Sequence, residues 1–334
     1  MPRQKPQSAE DRLIARYFRP LANDPGAFDL LDDAAALMPP AGADLVLTTD
    51  AIVGGVHFFP DDPADQIAKK ALRVNLSDLA AKGAKPLGFL LTLALPKAIA
   101  EGWLKAFAGG LGADAQAYSC PLLGGDTVRT PGPVTVSITA FGAVPRGAMV
   151  RRSGARPGDR VLVTGTIGDA ALGLVQRRKA SAAKRWKLDR AQHCHLAERY
   201  LLPQPRIAIA EALRRYANAA MDISDGLAGD LGKLCAASGA SAVIAVERLP
   251  LSTAARKVIA AEQSQIATVI TGGDDYEIVC TVAPQKLASF DAAAAAAGVA
   301  VAEIGSIVAG RAPLKFLDRD GKALRFKRPS FSHF

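Results

Sequence analysis

The sequence predicts two α/β (α+β) domains, and three observations carry that expectation. The chain has 334 residues, 49% of them apolar and 22% charged, enough for two cores of ordinary size. Strand-like and helix-like segments alternate in both halves, the pattern of sheets covered by helices. Between the halves, "RGAMVRRSGARPGDRVLVTG" turns on several Gly and Pro residues before a new β-branched segment opens. A boundary near residue 150 follows, giving expected domains 1–150 and 151–334.

In the first domain, "LVLTTDAIV" (45–53) has the β-branched and apolar content of a strand. Segment 62–83 carries a helical stripe at Ile67, Ala71, Leu72, Leu76 and Leu79, with Asp62 and Pro63 as start signals and Gly83 as the stop. "PLGFLLTLALP" (86–96) is about half the length of a membrane-spanning helix and reads as a buried strand. A helix near 97–118 and strands in "CPLLGGD" and "VTVSITAFGAV" complete this half. The second domain is predicted to hold a strand at 160–164, helices at 168–178, 205–217 and 228–237, and strands around 242–246 and 277–283. The alanine run in "SFDAAAAAAGVAVAEIG" predicts a helix stopped by Gly298.

Composition narrows the function. Cys120, Cys194, Cys235 and Cys280 form no CxxC pair, so neither a disulfide framework nor a zinc cluster is indicated and a reducing cytoplasm is expected. The N-terminus lacks the apolar stretch of a signal peptide. A net charge of +9 permits a polyanionic partner, but the basic pairs are scattered and aromatics are only 6%. Neither nucleic acid nor membrane is an expected partner; anionic small molecules account for the charge equally well.

Five clusters carry candidate chemistry: "LLDDAAAL" (Asp32, Asp33), "LTTDAIVGGVHF" (Thr48, Thr49, Asp50, His57), "NLSDLAAKG" (Asp78), "LLGGDTVR" (Asp126) and "MDISDG" (Asp222, Asp225). Each has a plain structural explanation. Asp222 and Asp225 suit a helix cap and acidic first turn. Asp126 suits a turn, and Asp78, on one stripe with Asn75 and Lys82, suits a solvated helix face. Together they point elsewhere, because carboxylates and hydroxyls at several strand ends and helix starts are what Mg²⁺ requires, and Mg²⁺ suggests phosphates.

The usual phosphate cradles are missing: there is no GxxxxGK[ST] loop and no protein-kinase HRD or DFG set. The GxGxxA match at Gly110, Gly112 and Ala115 falls in a helical segment rather than after a strand. "TGTIGDAALG" (164–173) follows a strand and opens a helix, so its amides either meet an anion or simply pack a tight turn. In "QHCHL" (192–196), His193 and His195 point to different faces of a helix and read as surface residues. With no GxSxG motif and four histidines, a nucleophilic triad has little support.

Taken in order, "TTDAIVGGVHF", "NLSDLAAKGAKP", "LLGGDT", "RRSGARPGDRVLVTGTIGDAALGL", "MDISDGLAGDLG" and "TGGDDYEI" resemble the thiamine-monophosphate kinase family, part of the aminoimidazole-ribonucleotide synthetase superfamily. The resemblance runs from about Asp11 to the C-terminus. It implies the two-domain aminoimidazole-ribonucleotide synthetase-like fold, with an N-terminal mixed-sheet domain that binds ATP and Mg²⁺ and forms a homodimer. The C-terminal α+β domain would complete the nucleotide and substrate site. The implied reaction is ATP-dependent conversion of thiamine monophosphate to thiamine diphosphate. Other ATP-using enzymes of the superfamily, such as selenophosphate synthetase, and a basic polyanion-binding protein are the alternatives; no Cys precedes Cys120 to serve the first of these.

By the same resemblance, Asp33, Thr48, Thr49, Asp50, Asp78, Asp126, Asp222 and Asp225 would ligate Mg²⁺. Gly125, Asp126, Arg152 and Ser224 would contact ATP, and His57, Asp274 and Phe331 the substrate. Asp50, Asp126 and Arg152 would carry the catalysis. Three positions depart from the family pattern: Leu31 stands where the family has Gly, Asp274 where it often has Glu, and Phe331 where it has a stacking Tyr. Asp230 has no implied role and reads as an exposed helix residue.

Overall fold

The computed structural model describes residues 8–328 and residue 330. The chain divides into two compact units. One comprises the described residues up to Leu79 together with Lys85–Arg146; the other comprises Ala80–Ala84 and the described residues from Gly147 onward.

The first unit holds α1 (Ala9–Leu13), β1 (Ala43–Val53), α2 (Ala64–Ala81, whose last two residues belong to the second unit), β2 (Lys85–Leu95), α3 (Glu101–Ala117), β3 (Leu122–Arg129) and β4 (Thr135–Pro145). Its sheet runs β1-β4-β2-β3. β4 pairs antiparallel with β1 and β2, while β2 and β3, joined through α3, are parallel. Alternation assigns the faces. Phe89, Leu91, Leu93 and Leu95 of β2 and Val136, Ile138 and Ala140 of β4 are buried, as are Leu72, Leu76 and Leu79 of α2 and Phe107 and Leu111 of α3. The opposite sheet face is more open: Leu45, Leu47, Thr49 and Ala51 of β1 are exposed along it. The GxGxxA glycines lie inside α3, where a Cβ at Gly110 would strike the Asp65 backbone, so they are packing glycines.

The second unit contains β5 (Arg160–Thr164), α4 (Asp169–Arg178), α5 (Ala180–Trp186), α6 (Arg190–Leu201), α7 (Ala210–Tyr216), β6 (Ala217–Ile223), α8 (Leu227–Ser238), β7 (Ala240–Ala245), α9 (Thr253–Ala261), α10 (Gln265–Thr271), β8 (Glu277–Val282), α11 (Leu287–Ala296), β9 (Val301–Ala309) and β10 (Lys315–Leu317). The sheet order is β10-β7-β9-β5-β8-β6. Its two faces build separate cores. Val161, Val163, Met221, Ile223 and Val279 join Leu231 and Leu234 of α8 and Val258 of α9. The alternate residues Leu162, Ala220, Ile278, Cys280 and Val282 join Leu213 of α7 and Phe290 of α11. Every residue of β8 is buried, as expected of a strand covered on both sides.

Among the described residues, no helix is long and apolar enough to cross a membrane. The helix expected at 205–217 begins later, as a 3₁₀ turn (Ile207–Ile209) that passes into α7. The alanine-rich helix ends before Gly298, whose φ of 67° reverses the chain as a C-terminal stop requires.

Candidate active site

In the first unit, the acidic and hydroxyl residues divide between the two faces of the sheet. Thr48 donates its hydroxyl to Asp78 Oδ2 at 2.5 Å, and the Asp50 amide donates to Asn75 Oδ1 at 3.0 Å. Asn75 is fully buried and donates in turn to the Ala71 carbonyl. The Asn75–Asp78 stripe is therefore not a solvated face; it ties α2 to the edge strand β1. Thr49 points to the other face, where it donates to the Ile138 carbonyl and accepts from Thr139.

On that open face lies a cavity of about 750 Å³, lined by Asp32, Asp33, Thr92, Gly125, Asp126 and Thr139 among others. The structure thus brings Asp33, Gly125 and Asp126 together. Gly125 presses against β2 so closely that a Cβ would fall 1.9 Å from the Leu91 carbonyl oxygen, so only glycine leaves the strand where it is. Asp126 is exposed and its carboxylate makes no hydrogen bond or ion pair with the described residues. Thr49 and Asp126 sit on strands three sheet positions apart, roughly 14 Å at the usual strand spacing, so they are not ligands of one ion within a chain. Leu31 is unstrained at φ −108°; the left-handed backbone falls instead on Phe28, Asp29 and Leu30.

After β1 the chain turns tightly, and His57 Nδ1 accepts the Val53 amide at 3.0 Å. A neutral His57 therefore carries its proton on Nε2. Buried Lys70 donates to the His57 carbonyl and fixes this turn.

In the second unit, β6 delivers Asp222 at its buried end, and Ser224 and Asp225 form the turn into α8. The helix-cap expectation is corrected here. Gly226 is the N-cap residue, and neither Asp222 nor Asp225 caps the helix. Asp230 does the work from one turn inside: its Oδ2 accepts the amides of Ser224 (3.0 Å) and Asp225 (2.8 Å), and its Oδ1 accepts Lys233 Nζ at 2.8 Å. It is fully buried rather than exposed, because the bend at Ser224 and Asp225 turns both amides onto its carboxylate. Burial raises its pKa, with the Lys233 and backbone hydrogen bonds opposing.

The loop after α10 rests on the same turn, since the Asp274 amide donates to the Ser224 carbonyl and the Tyr276 amide to the Ile223 carbonyl. A Cβ at Gly273 would fall 2.2 Å from the Ser224 oxygen, which keeps that contact glycine-specific. The next residue, Asp275, is fully buried and its Oδ2 accepts the Gly168 amide at 2.7 Å. The Gly168 amide at the start of α4 is thus taken by a carboxyl group of this chain, and of the two readings of this segment the packed turn is the one found. Burial holds the Asp275 pKa well above the usual carboxylate range, against the Gly168 amide and Arg199.

Glu277 is also fully buried, between Arg199 (2.9 Å), Arg206 (2.6 Å from Nε) and the Thr164 hydroxyl (2.7 Å). Buried Asp169 accepts from Thr166 and Ser252 and pairs with His195 Nε2 at 3.0 Å. His195, read from sequence as a surface residue, is half exposed but anchored in this way. Arg152 is exposed, and its carbonyl accepts the Ser238 hydroxyl that also receives the Gly154 and Ala155 amides. Phe331 lies outside the described residues.

Among the described residues, no three His, Cys, Asp or Glu side chains are grouped to hold a metal. The donors at the cavity, and separately those at the β6–α8 turn, are nevertheless hard oxygens. Donors of that kind suit Mg²⁺, which takes one or two carboxylates and completes its shell with water and phosphate oxygens.

Residues 31–144 match the family described as AIR synthase related protein, N-terminal domain, and residues 156–313 its C-terminal domain. A thiamine-monophosphate kinase of Caulobacter vibrioides is 46% identical over 89% of this chain and 83% of its own. The chain belongs to the thiamine-monophosphate kinase family. Solved structures of thiamine-monophosphate kinases agree. That of the Stenotrophomonas maltophilia kinase superposes with a TM-score of 0.82 at 38% identity, covering 94% of this chain and 96% of that one. Another, described as AaThiL complexed with AMPPCP and TMP, gives 0.75 at 31% identity over 91% of each chain. The two-domain AIR synthase-like fold and the kinase class expected from sequence are those of this family.

Proposed function

We propose that the protein transfers the γ-phosphoryl group of ATP to thiamine monophosphate, giving thiamine diphosphate, in the cytoplasm and as a homodimer. The observation that carries the site assignment is the cavity of the first unit, which Asp33 and Asp126 line beside the close backbone approach at Gly125. The AaThiL structure with AMPPCP, a methylene analogue of ATP, and TMP supports the pair of substrates. Exposed Leu45 and Leu47 on the open sheet face favour pairing of two first units.

The attacking atom is an oxygen of the substrate's own phosphate, which is ionised at neutral pH, so no general base is required. What the chain must supply is alignment and control of charge between two polyanions. Asp33, Asp50, Asp78, Asp126, Asp222 and Asp225, with the hydroxyls of Thr48 and Thr49, are the residues that would hold Mg²⁺. When bound, Mg²⁺ neutralises the crowded phosphate oxygens. Arg152 is free to reach a phosphate from its exposed loop, and Ser224 to fix the nucleotide beside Asp222 and Asp225. His57 and Asp274 would orient the thiamine half, with Phe331 offering an aromatic face.

The purified protein, given Mg²⁺ and ATP, is expected to form ADP only when thiamine monophosphate is added, with thiamine diphosphate as the coproduct by chromatography. Silence with thiamine monophosphate alongside turnover on a different phosphate acceptor would overturn the substrate assignment.

A further inference from the structure

Lys233 has no part in the mechanism above, yet its ammonium stands beside a carboxylate given a ligand role there. Nζ lies 2.5 Å from Asp225 Oδ2 and 2.8 Å from Asp230 Oδ1. The two carboxylates differ in kind. Asp230 is fully buried and spends its second oxygen on the Ser224 and Asp225 amides, so it cannot leave without unmaking the turn. Asp225 and Lys233 are both partly solvent-exposed, 35% and 43% by side chain, and an ion pair of that exposure is weak and exchangeable. A flexible four-carbon stem lets the ammonium withdraw from Asp225 while keeping its contact with Asp230.

We propose that Lys233 is a resident counter-cation for Asp225, displaced from it when metal-bound nucleotide arrives, and that Asp230 is the positioning residue that keeps the Ser224–Asp225 turn shaped for that exchange. The inference rests on the reading of Asp225 as a metal ligand. A carboxylate already paired repels its backbone and neighbours less than a bare one, so the empty turn stays ordered. An incoming divalent cation must push the ammonium aside, which lowers metal affinity in the absence of nucleotide. Once displaced, the ammonium remains tethered to Asp230 and presents its other donors to an anion at the turn.

The test uses the full chain with Mn²⁺ alone as probe, following free Mn²⁺ by electron paramagnetic resonance. The Asp225→Asn variant identifies the site by losing it; unchanged Mn²⁺ binding in that variant removes Asp225 from the metal site and the inference with it. At the site so identified, Lys233→Gln is expected to bind Mn²⁺ more tightly, about five-fold, the size of one exposed charge contact. Asp230→Asn is expected to bind it more weakly, because the turn loosens. A purely structural Lys233 would lower the melting temperature and leave Mn²⁺ affinity unchanged or reduced, and that result overturns the proposal while leaving the role of Asp225 intact. Since Lys233 is partly exposed, its variant decides between the two even where Asp230→Asn fails to fold.

Discussion

The open acidic donors of the first unit and the buried acids of the second unit stand under opposite conditions. In the first unit Asp33 and Asp126 are exposed beside the open face, and Asp50 is exposed on the edge strand β1. In the second, Asp169, Asp230, Asp275 and Glu277 are fully buried and saturated with arginines, hydroxyls and backbone amides, apart from one Asp275 oxygen that no group meets. The difference separates two uses of one functional group. An exposed carboxylate costs little to keep and is available to a cation, whereas a buried one is tolerable only when its partners are built in and so serves to hold backbone. The first unit carries exposed donors; the second carries a buried acidic frame that holds the turn of Ser224, Asp225 and Asp274.

The comparison is broken most severely at Glu277. Glu277→Gln leaves Arg199 and Arg206 without their shared charge in a dry setting, so unfolding stability is expected to fall by about 3–5 kcal/mol in denaturant titration. A loss under 1 kcal/mol would mean that water reaches this cluster and that the frame is not what sets it apart. Asp126→Asn probes the other side: turnover should fall by about 10²–10³-fold, the scale of one lost electrostatic contact to a transferring group, with the melting temperature unmoved. A variant that melts early and keeps its turnover would place Asp126 with the frame instead.

The smallest effect is the most specific. Hydrogen bonding to Asp169 raises the His195 pKa above 6.5, against the cost of burial. Burial pushes the Asp169 pKa up, but the bonds from His195, Ser252 and Thr166 outweigh it and hold the carboxyl below its usual value. The His195 contribution is complete below its unfolded pKa and is lost as pH rises through the folded value; that of Asp169 is lost only on acidification through its own lowered value. The melting temperature of the unmodified chain should therefore decline between about pH 6 and 8 more than that of His195→Gln. Parallel declines would show that the pair contributes nothing.

Most of the secondary structure was legible because its signals are local. The short apolar run of 86–96 and the apolar stripe of 67–79 correspond to β2 and α2 within a few residues. The frame was not legible. Asp230 has the sequence context of an acid in an exposed first turn, and only the bend at Ser224 and Asp225 brings the preceding amides onto it. Asp275 and Gly168 are joined across more than a hundred residues, so nothing near "TGTIGDAALG" could say that its anion would come from "GGDDYEI". Asp274 and Asp275 lie in the loop before β8, where Asp274 takes a φ of 72°, so no strand period in "GGDDYEI" marks which acid turns inward. Strand alternation does divide Thr48 and Asp50 from Thr49, a division that a linear cluster of donors conceals.

The order β10-β7-β9-β5-β8-β6 also bears on biosynthesis. β5 is made early in its unit, but both of its neighbours, β8 and β9, lie more than a hundred residues downstream. The nascent second unit therefore holds its central strand unpaired until nearly the whole chain has left the ribosome, whereas every strand of the first sheet is complete by Pro145. A ribosome stalled midway would carry a first sheet with all its strands made and a second one still open at its centre, the interval in which unpaired strand edges are most exposed to aggregation.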